Sequence, residues 1–348
     1  MVTSGASTTT AAGRTRRTSC TSCSRSPGLH AGWAAGTHSL PPRFTVVGQQ
    51  ADFLIPYGQT IAELRAMQGR GSATNYERIA AEYIGSQFRQ FGLEAGGDTD
   101  AAGNKSYVQR VPINSGINPS AEPRATWNVI GVLKGTQPGE VILLSAHLDH
   151  LGINESLTGD KIFNGADDDA SGCVAVLELA RVLAAGKRPR RSIYFICFGS
   201  EERGGYGSRH FISNPPVPLT QIVADLTFEM LGRPDSKVPA GTLWLTGYER
   251  STLGPELARQ GAALVADPHP EQNFFRRSDN YPLALRGVVA HTVSSFGLHS
   301  DYHRVSDEVD KIDFPFMTRS LNSLVKPVQW LANSTFRPAW LAGQAPTR

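Results

Sequence analysis

The sequence predicts an α/β fold built on a mostly parallel, mixed central sheet with helices on both faces. Three observations predict it. Runs such as VILLSAHLD from Val141 are almost continuously apolar, as expected of strands covered on both faces of a parallel sheet. Strand-type and helix-type segments alternate from Val141 to about Ser294, the rhythm of crossover connections. Several of the apolar runs turn polar only at their ends, and ligands of open α/β sheets bind beyond the carboxyl ends of the strands.

Taken in order, residues 1–42 are rich in Ser, Thr, Gly, Ala and Arg with almost no large aliphatic residues, a composition that predicts disorder or a misplaced start, and they are set outside the fold. Residues 43–348 are expected to form a single domain. Thr74 and Glu77 make a capping box, and Tyr76, Ile79, Ala80, Tyr83, Ile84, Phe88 and Phe91 follow at helical spacing up to Gly92, which predicts an amphipathic helix. Short β-type runs follow at 106–112 and 126–133, then the buried strand from Val141. The segment ASGCVAVLELARVLAAG reads as a helix ending at Gly186, and RSIYFICFGSEE as a second buried strand. A helix start at 208–212, a third strand at 222–230, a helix at 251–264 and a strand at 287–294 complete the pattern. No repeat period is visible, which argues against solenoids and propellers.

Charge narrows the function. The formal charge of +3 includes four arginines, Arg14, Arg16, Arg17 and Arg25, before residue 43, so the remaining body is near neutral and has no basic stripe for nucleic acid. No stretch reaches the length of a membrane span, and the N-terminus lacks the apolar core of a signal peptide, so a soluble chain of open compartment is expected. The cysteines imply no disulfide framework: Cys20 and Cys23 form a lone CxxC, while Cys173 and Cys197 read as small core residues.

The chemistry lies at the strand ends. His147 and Asp149, then Glu201 and Glu202, then Glu229 each follow an apolar strand; Asp167 and His303 come from loops. Carboxylates converging on one edge repel each other unless cations lie among them, and borderline metals, zinc above all, suit such nitrogen and oxygen donors. Neither HExxH nor GxSxG is present. Each feature alone has a plainer reading. An HxD is usually a capping or surface feature, Glu-Glu pairs are usually solvated, and Asp168 and Asp169 are assigned to capping the following helix. Their order and their common place at strand ends favour the metal reading.

The segments AHLDHLG (146–152), GADDDASG (165–172), FGSEERGGYGSRHF (198–211), ADLTFEMLGR (224–233), RSDNYPLA (277–284) and LHSDYHRVSDEVDKID (298–313) resemble metallopeptidase family 28, across roughly residues 74–330. The resemblance implies a zinc-exopeptidase architecture without an inserted protease-associated domain. It also implies two zinc ions and peptide substrates. On that pattern Asp167 bridges the ions, His147 and Glu229 complete one, and Glu202 and His303 the other. Asp149 orients the ligand histidine, Glu201 is the general base and Tyr302 stabilises the oxyanion. Position 229 carries Glu where the family commonly has Asp, and Asn280 stands where His is frequent. The expected activity is that of an aminopeptidase. A carboxypeptidase or dipeptidase, with Arg276 and Arg277 gripping a substrate carboxylate, is the alternative; a glutaminyl cyclase and a non-catalytic binding domain are further ones.

Overall fold

A computed structural model describes residues 67–113 and 124–347, together with Thr60, Glu63 and Leu64. The expectations for residues 1–42, including Cys20 and Cys23, lie outside the described residues.

The capping box does form a helix, α1 (Asn75–Gln90), with the Thr74 hydroxyl accepting from the Glu77 amide at 3.4 Å. Ala80, Ala81, Ile84 and Phe88 are buried on its inner face, and Gly92 at φ +77° ends it. Three strands follow: β1 (Glu94–Ala95), β2 (Val108–Ile113) and β3 (Arg124–Leu133). The long apolar run is β4 (Val141–His147), buried at every position. A small hairpin, β5 (Gly152–Ile153) with β6 (Ile162–Phe163), lies outside the main sheet. A π-type turn, Ala166–Ser171, leads into α2 (Gly172–Ala184). Then come β7 (Ser192–Phe198), α3 (Tyr206–Ser213), β8 (Ile222–Phe228), β9 (Leu243–Leu245), α4 (Leu253–Arg259), β10 (Leu264–Ala266), α5 (Asn280–Ala284), β11 (Ala290–Ser294) and α6 (Phe314–Asn333).

The sheet has nine strands in the order β1-β3-β7-β4-β8-β11-β9-β10, with β2 also paired to β3. Its centre is parallel: β7, β4, β8 and β11 run the same way, and β9 with β10 form a second parallel pair. The antiparallel contacts are those of β3 with β1, β2 and β7, and of β9 with β11. Successive β4 residues feed opposite cores, as the two-residue period of a strand requires. Ile142, Leu144 and Ala146 pack with α1, α2 and α6, whereas Val141 and Leu143 pack with Phe211 of α3 and Leu283 of α5. Helices thus cover both faces, which is why these strands carry no polar alternation.

Two boundaries depart from the sequence reading. The helix expected over 251–264 is shorter, because Gly261 at φ +102° breaks it and Leu264–Ala266 pair with β9. The strand expected from 287 begins at Ala290, since Gly287 at φ +91° forms the turn before it.

Candidate metal centre

The parallel strands β4, β7 and β8 end side by side, and their carboxyl ends deliver His147, the Glu201–Glu202 pair and Glu229 to one edge. His303 arrives on the loop before α6. The resulting pocket is lined by Asp168, Glu201, Glu202, Glu229, Tyr302 and His303 on its polar side, and by Met230, Trp244, Phe274 and Phe296 on its apolar side.

At the centre lies Asp168, and this corrects the expectation for Asp167. The two carboxylate oxygens of Asp168 face different histidines: Oδ1 is 3.2 Å from His147 Nε2, and Oδ2 is 3.2 Å from His303 Nε2. Asp167 points elsewhere. Its Oδ1 accepts from the Gly232 amide at 2.7 Å, and its Oδ2 lies 2.9 Å from His299 Nε2. The reason is the local backbone: Asp168 and Asp169 leave helical geometry, at φ/ψ −107°/95° and −130°/45°, so the three consecutive aspartates diverge. Asp169 does act as a cap, as expected, accepting from the Gly172 and Met230 amides at 3.0 and 3.1 Å; Asp168 does not. Two glycines make this packing possible. A Cβ on Gly172 would meet the Phe228 carbonyl oxygen at 2.3 Å, and one on Gly165, at φ +57°, would meet the Asp168 carbonyl oxygen at 2.1 Å.

Glu202 is held by two imidazoles. His150 Nδ1 donates to Oε1 at 2.7 Å, and His303 Nε2 lies 3.2 Å from Oε2. The donor atoms of His150, Asp168 and Glu202 lie within 4.8 Å of one another. Sequence alone gives His150 no role, and the one signal for it is a second histidine three residues after His147 at the same strand exit. Asp149 stands behind His147 in a different manner from the one expected. Its carboxylate is 3.7 Å from His147 Nδ1, too long for a hydrogen bond, whereas its backbone carbonyl oxygen lies 3.1 Å from that nitrogen. The carboxylate instead accepts from the Glu201 amide at 2.9 Å and from the Ser72 hydroxyl. Tyr302 stacks on His303 at 3.9 Å between ring centroids and accepts at its hydroxyl from Arg277 Nη2 at 3.4 Å. Arg277 in turn packs over Phe274, 5.0 Å from its centroid.

The charges act strongly on one another. Burial opposes charge on His147, yet Asp169, Asp149 and Asp168 together raise it well above the usual imidazole range. Burial likewise opposes the His303 cation, but Asp168 and Glu202 raise it to about 10. Burial pushes Glu201 well up, with Glu229, Asp279 and Glu202 adding to the rise against His147. Glu229 is raised by burial first and by neighbouring Asp168 and Glu202. Asp168 Oδ2 and Glu229 Oε2 are buried and accept no hydrogen bond. Buried carboxylate oxygens with imidazole nitrogens close by and no other polar partner are the donor set that N- and O-binding metal ions require, so the residues present fit such an ion. The backbone is also strained here: Ser200, Met230 and His303 hold φ of +54°, +54° and +56°, each at or beside a residue of the site.

A mixed sheet with this donor set at its carboxyl edge defines an α/β protein with a built candidate metal centre. Residues 128–326 match the model of Peptidase family M28, and the chain belongs to that family. A probable zinc metalloprotease from Leptosphaeria maculans is 27% identical over 279 residues, covering 66% of this chain and 64% of that protein. Leupeptin-inactivating enzyme 1 from Streptomyces exfoliatus is 30% identical over 221 residues, covering 62% of this chain and 44% of that protein. Among solved structures, the zinc aminopeptidase BSAP from Bacillus subtilis superposes with a TM-score of 0.61 at 17% identity, covering 80% of this chain and 95% of the other. That likeness establishes the shared fold. Among the described residues, no helix is long and apolar enough to cross a membrane.

Proposed function

We propose that this chain is a zinc-dependent aminopeptidase in which Asp168 would be the carboxylate shared by two zinc ions, with His147 and Glu229 holding one and Glu202 and His303 the other. The observation that carries the reading is Asp168 itself: a single buried carboxylate with one oxygen at 3.2 Å from each of two histidines. The names of the relatives support zinc and peptide hydrolysis. His303 is preferred to His150 as the second imidazole because it lines the pocket, whereas His150 is fully buried behind Glu202.

Zinc bound in this set would supply Lewis acidity and a water acidic enough to lose its proton near neutral pH. The chain's own residues do the rest. Glu201 takes a proton from the attacking water on its carboxylate and delivers it to the leaving amine nitrogen as the peptide C–N bond breaks. Tyr302 stays protonated, because burial and the surrounding carboxylates push its hydroxyl up, and it can donate to the developing oxyanion. Met230, Trp244, Phe274 and Phe296 offer an apolar wall for the side chain of the residue being released.

The test is zinc content measured alongside hydrolysis of free-amine and N-blocked peptides, for wild type and Glu201→Gln. About two zincs per chain, cleavage of free-amine substrates only, and a kcat roughly 10²–10⁴-fold lower in Glu201→Gln with its metal retained are the expected results. Cleavage confined to blocked peptides with a free carboxylate would transfer the assignment to a carboxypeptidase. Arg277, exposed at the pocket mouth, is the residue that favours that second reading.

A further inference from the structure

We infer that residues 70–77, which precede the segment matched by the family model, clamp the loops of the site together, and that Glu77 is the positioning residue for the Glu201–Glu202 turn. The inference rests on the reading of Glu201 as the general base.

Arg70 is fully buried and its guanidinium makes three bonds to backbone oxygens: Nε to Leu148 at 2.8 Å, Nη1 to Asn164 at 2.8 Å and Nη2 to Gly165 at 3.0 Å. One side chain therefore joins the exit of β4, which carries His147 and Asp149, to the loop that enters Asp168. Ser72 adds its bond to the Asp149 carboxylate. Glu77 does more than close its helix. Oε2 accepts from the Ala73 amide at 2.7 Å, which is local capping. Oε1 is turned inward, accepting from Thr126 Oγ1 at 2.6 Å and from the Ser200 amide and hydroxyl at 2.9 and 3.3 Å. Burying this carboxyl is unfavourable: burial, and then Asp149, raise it to about 8. A helix cap alone needs no such burial.

What Oε1 secures is the residue immediately before Glu201. Ser200 holds φ +54°, a region costly for any side chain with a Cβ. Its amide is fixed by Glu77 and the next amide, that of Glu201, by Asp149. Two successive peptide units that aim the Glu201 carboxylate are thus each tied to a carboxyl group outside the strand. Relaxation of Ser200 toward ordinary backbone would swing Glu201 away from the pocket, whereas Glu202 is held separately by His150 and His303, and Asp168, His147, Glu229 and His303 lie on other segments, so the metal-binding atoms stay in place.

The experiment compares full-length, zinc-loaded wild type with Glu77→Gln, Thr126→Val, Glu201→Gln and, as a destabilised control remote from the site, Leu321→Ala. Three readouts are taken: zinc stoichiometry, kcat and KM separately, and amide hydrogen exchange over residues 199–204. The clamp predicts that Glu77→Gln keeps its zinc and its KM, loses roughly 10- to 100-fold in kcat, and exchanges faster at 199–204. Thr126→Val, which removes one donor to Oε1, should move the same readouts less, and Leu321→Ala should move none of them. Thr126→Val also carries the test if Glu77→Gln does not fold. Wild-type kcat and unchanged exchange in both variants, with Glu201→Gln inactive, would overturn the inference. If Glu201→Gln turns over normally, the base assignment fails on its own, and the exchange at 199–204 alone decides the clamp.

Discussion

Charged residues flank the two central strands β4 and β7 at both ends, and the two ends are solved in opposite ways. At the amino end, Glu140 before β4 and Arg191 before β7 meet at 2.9 Å, and Glu140 also pairs with Arg190 at 3.2 Å and Arg337 at 2.7 Å. Although burial opposes it, these guanidiniums hold the Glu140 carboxyl below its usual range. At the carboxyl end the same strands deliver His147 and the Glu201–Glu202 pair, and Asp168 and Glu229 join them with oxygens that accept no hydrogen bond. The protein neutralises the first cluster with its own side chains. The second holds more carboxylates than imidazoles, even with His147 and His303 drawn toward their charged forms, and such an excess of buried carboxylate is stable only with bound metal or bound protons. On the proposed reading, the difference separates a charged cluster that holds the fold from one that does chemistry.

The largest effect follows from exchanging neighbours. Asp168→Asn removes the shared carboxylate and is expected to abolish both zinc uptake and turnover, measured by elemental analysis and peptide hydrolysis. Asp167→Asn should retain zinc and lose about 1–3 kcal/mol of stability, because its buried oxygens bond the Gly232 amide and His299. The reverse result would restore Asp167 as the bridge. Next in size is His150→Ala, which frees Glu202 Oε1. Zinc affinity should fall about 10- to 100-fold in a competition titration, the usual consequence of losing the partner that orients a ligand.

The same contrast explains what could be read from sequence. The strands were legible because their runs are almost wholly apolar, and the site edge because His147, Glu201, Glu202 and Glu229 sit at strand ends, where the α/β architecture dictates position. Which of three consecutive aspartates turns inward was not legible. That depends on φ and ψ at Asp168 and Asp169, which composition does not encode. Glu77 read as half of a capping box, and its Ala73 bond is that; its second role reaches Ser200, 123 residues away, and no local pattern reports it. Arg70 was hidden for the same reason, since its partners are backbone carbonyls 78 to 95 residues distant.

A smaller, pH-dependent effect tests the excess of buried carboxylate directly. Glu77 is raised by burial from 4.5 to about 8, and Asp279, buried beside the site, from 3.8 to about 7. A carboxyl group whose pKa is higher folded than unfolded binds its proton more tightly in the folded state. Its stabilising contribution is therefore full at low pH and is lost as pH rises from about 4 through 7 to 8. Chelator-treated protein should thus show a thermal midpoint that declines across this window, and zinc should offset the decline at the upper end. A midpoint that rises over the same range after chelation would mean that these carboxyls are not crowded as described.

The smallest effect on turnover is expected at the amino end, and it completes the contrast. Glu140→Gln removes the charge that three arginines share, so stability should fall by about 1.5–3 kcal/mol, the range for hydrogen bonds to charged groups. Because the Glu140 carboxyl is held below its usual range, its contribution is present above about pH 4.5 and is lost as pH falls, opposite in sign to Glu77. Denaturant melts at pH 7 and pH 3 should therefore show the variant's deficit at the higher pH and its near disappearance at the lower. With zinc present, kcat and KM should match wild type, since β4 and β7 run through a largely apolar core between the two clusters. A loss of kcat without loss of zinc would show instead that the two strand ends are mechanically coupled, and the division between a holding end and a working end would no longer stand.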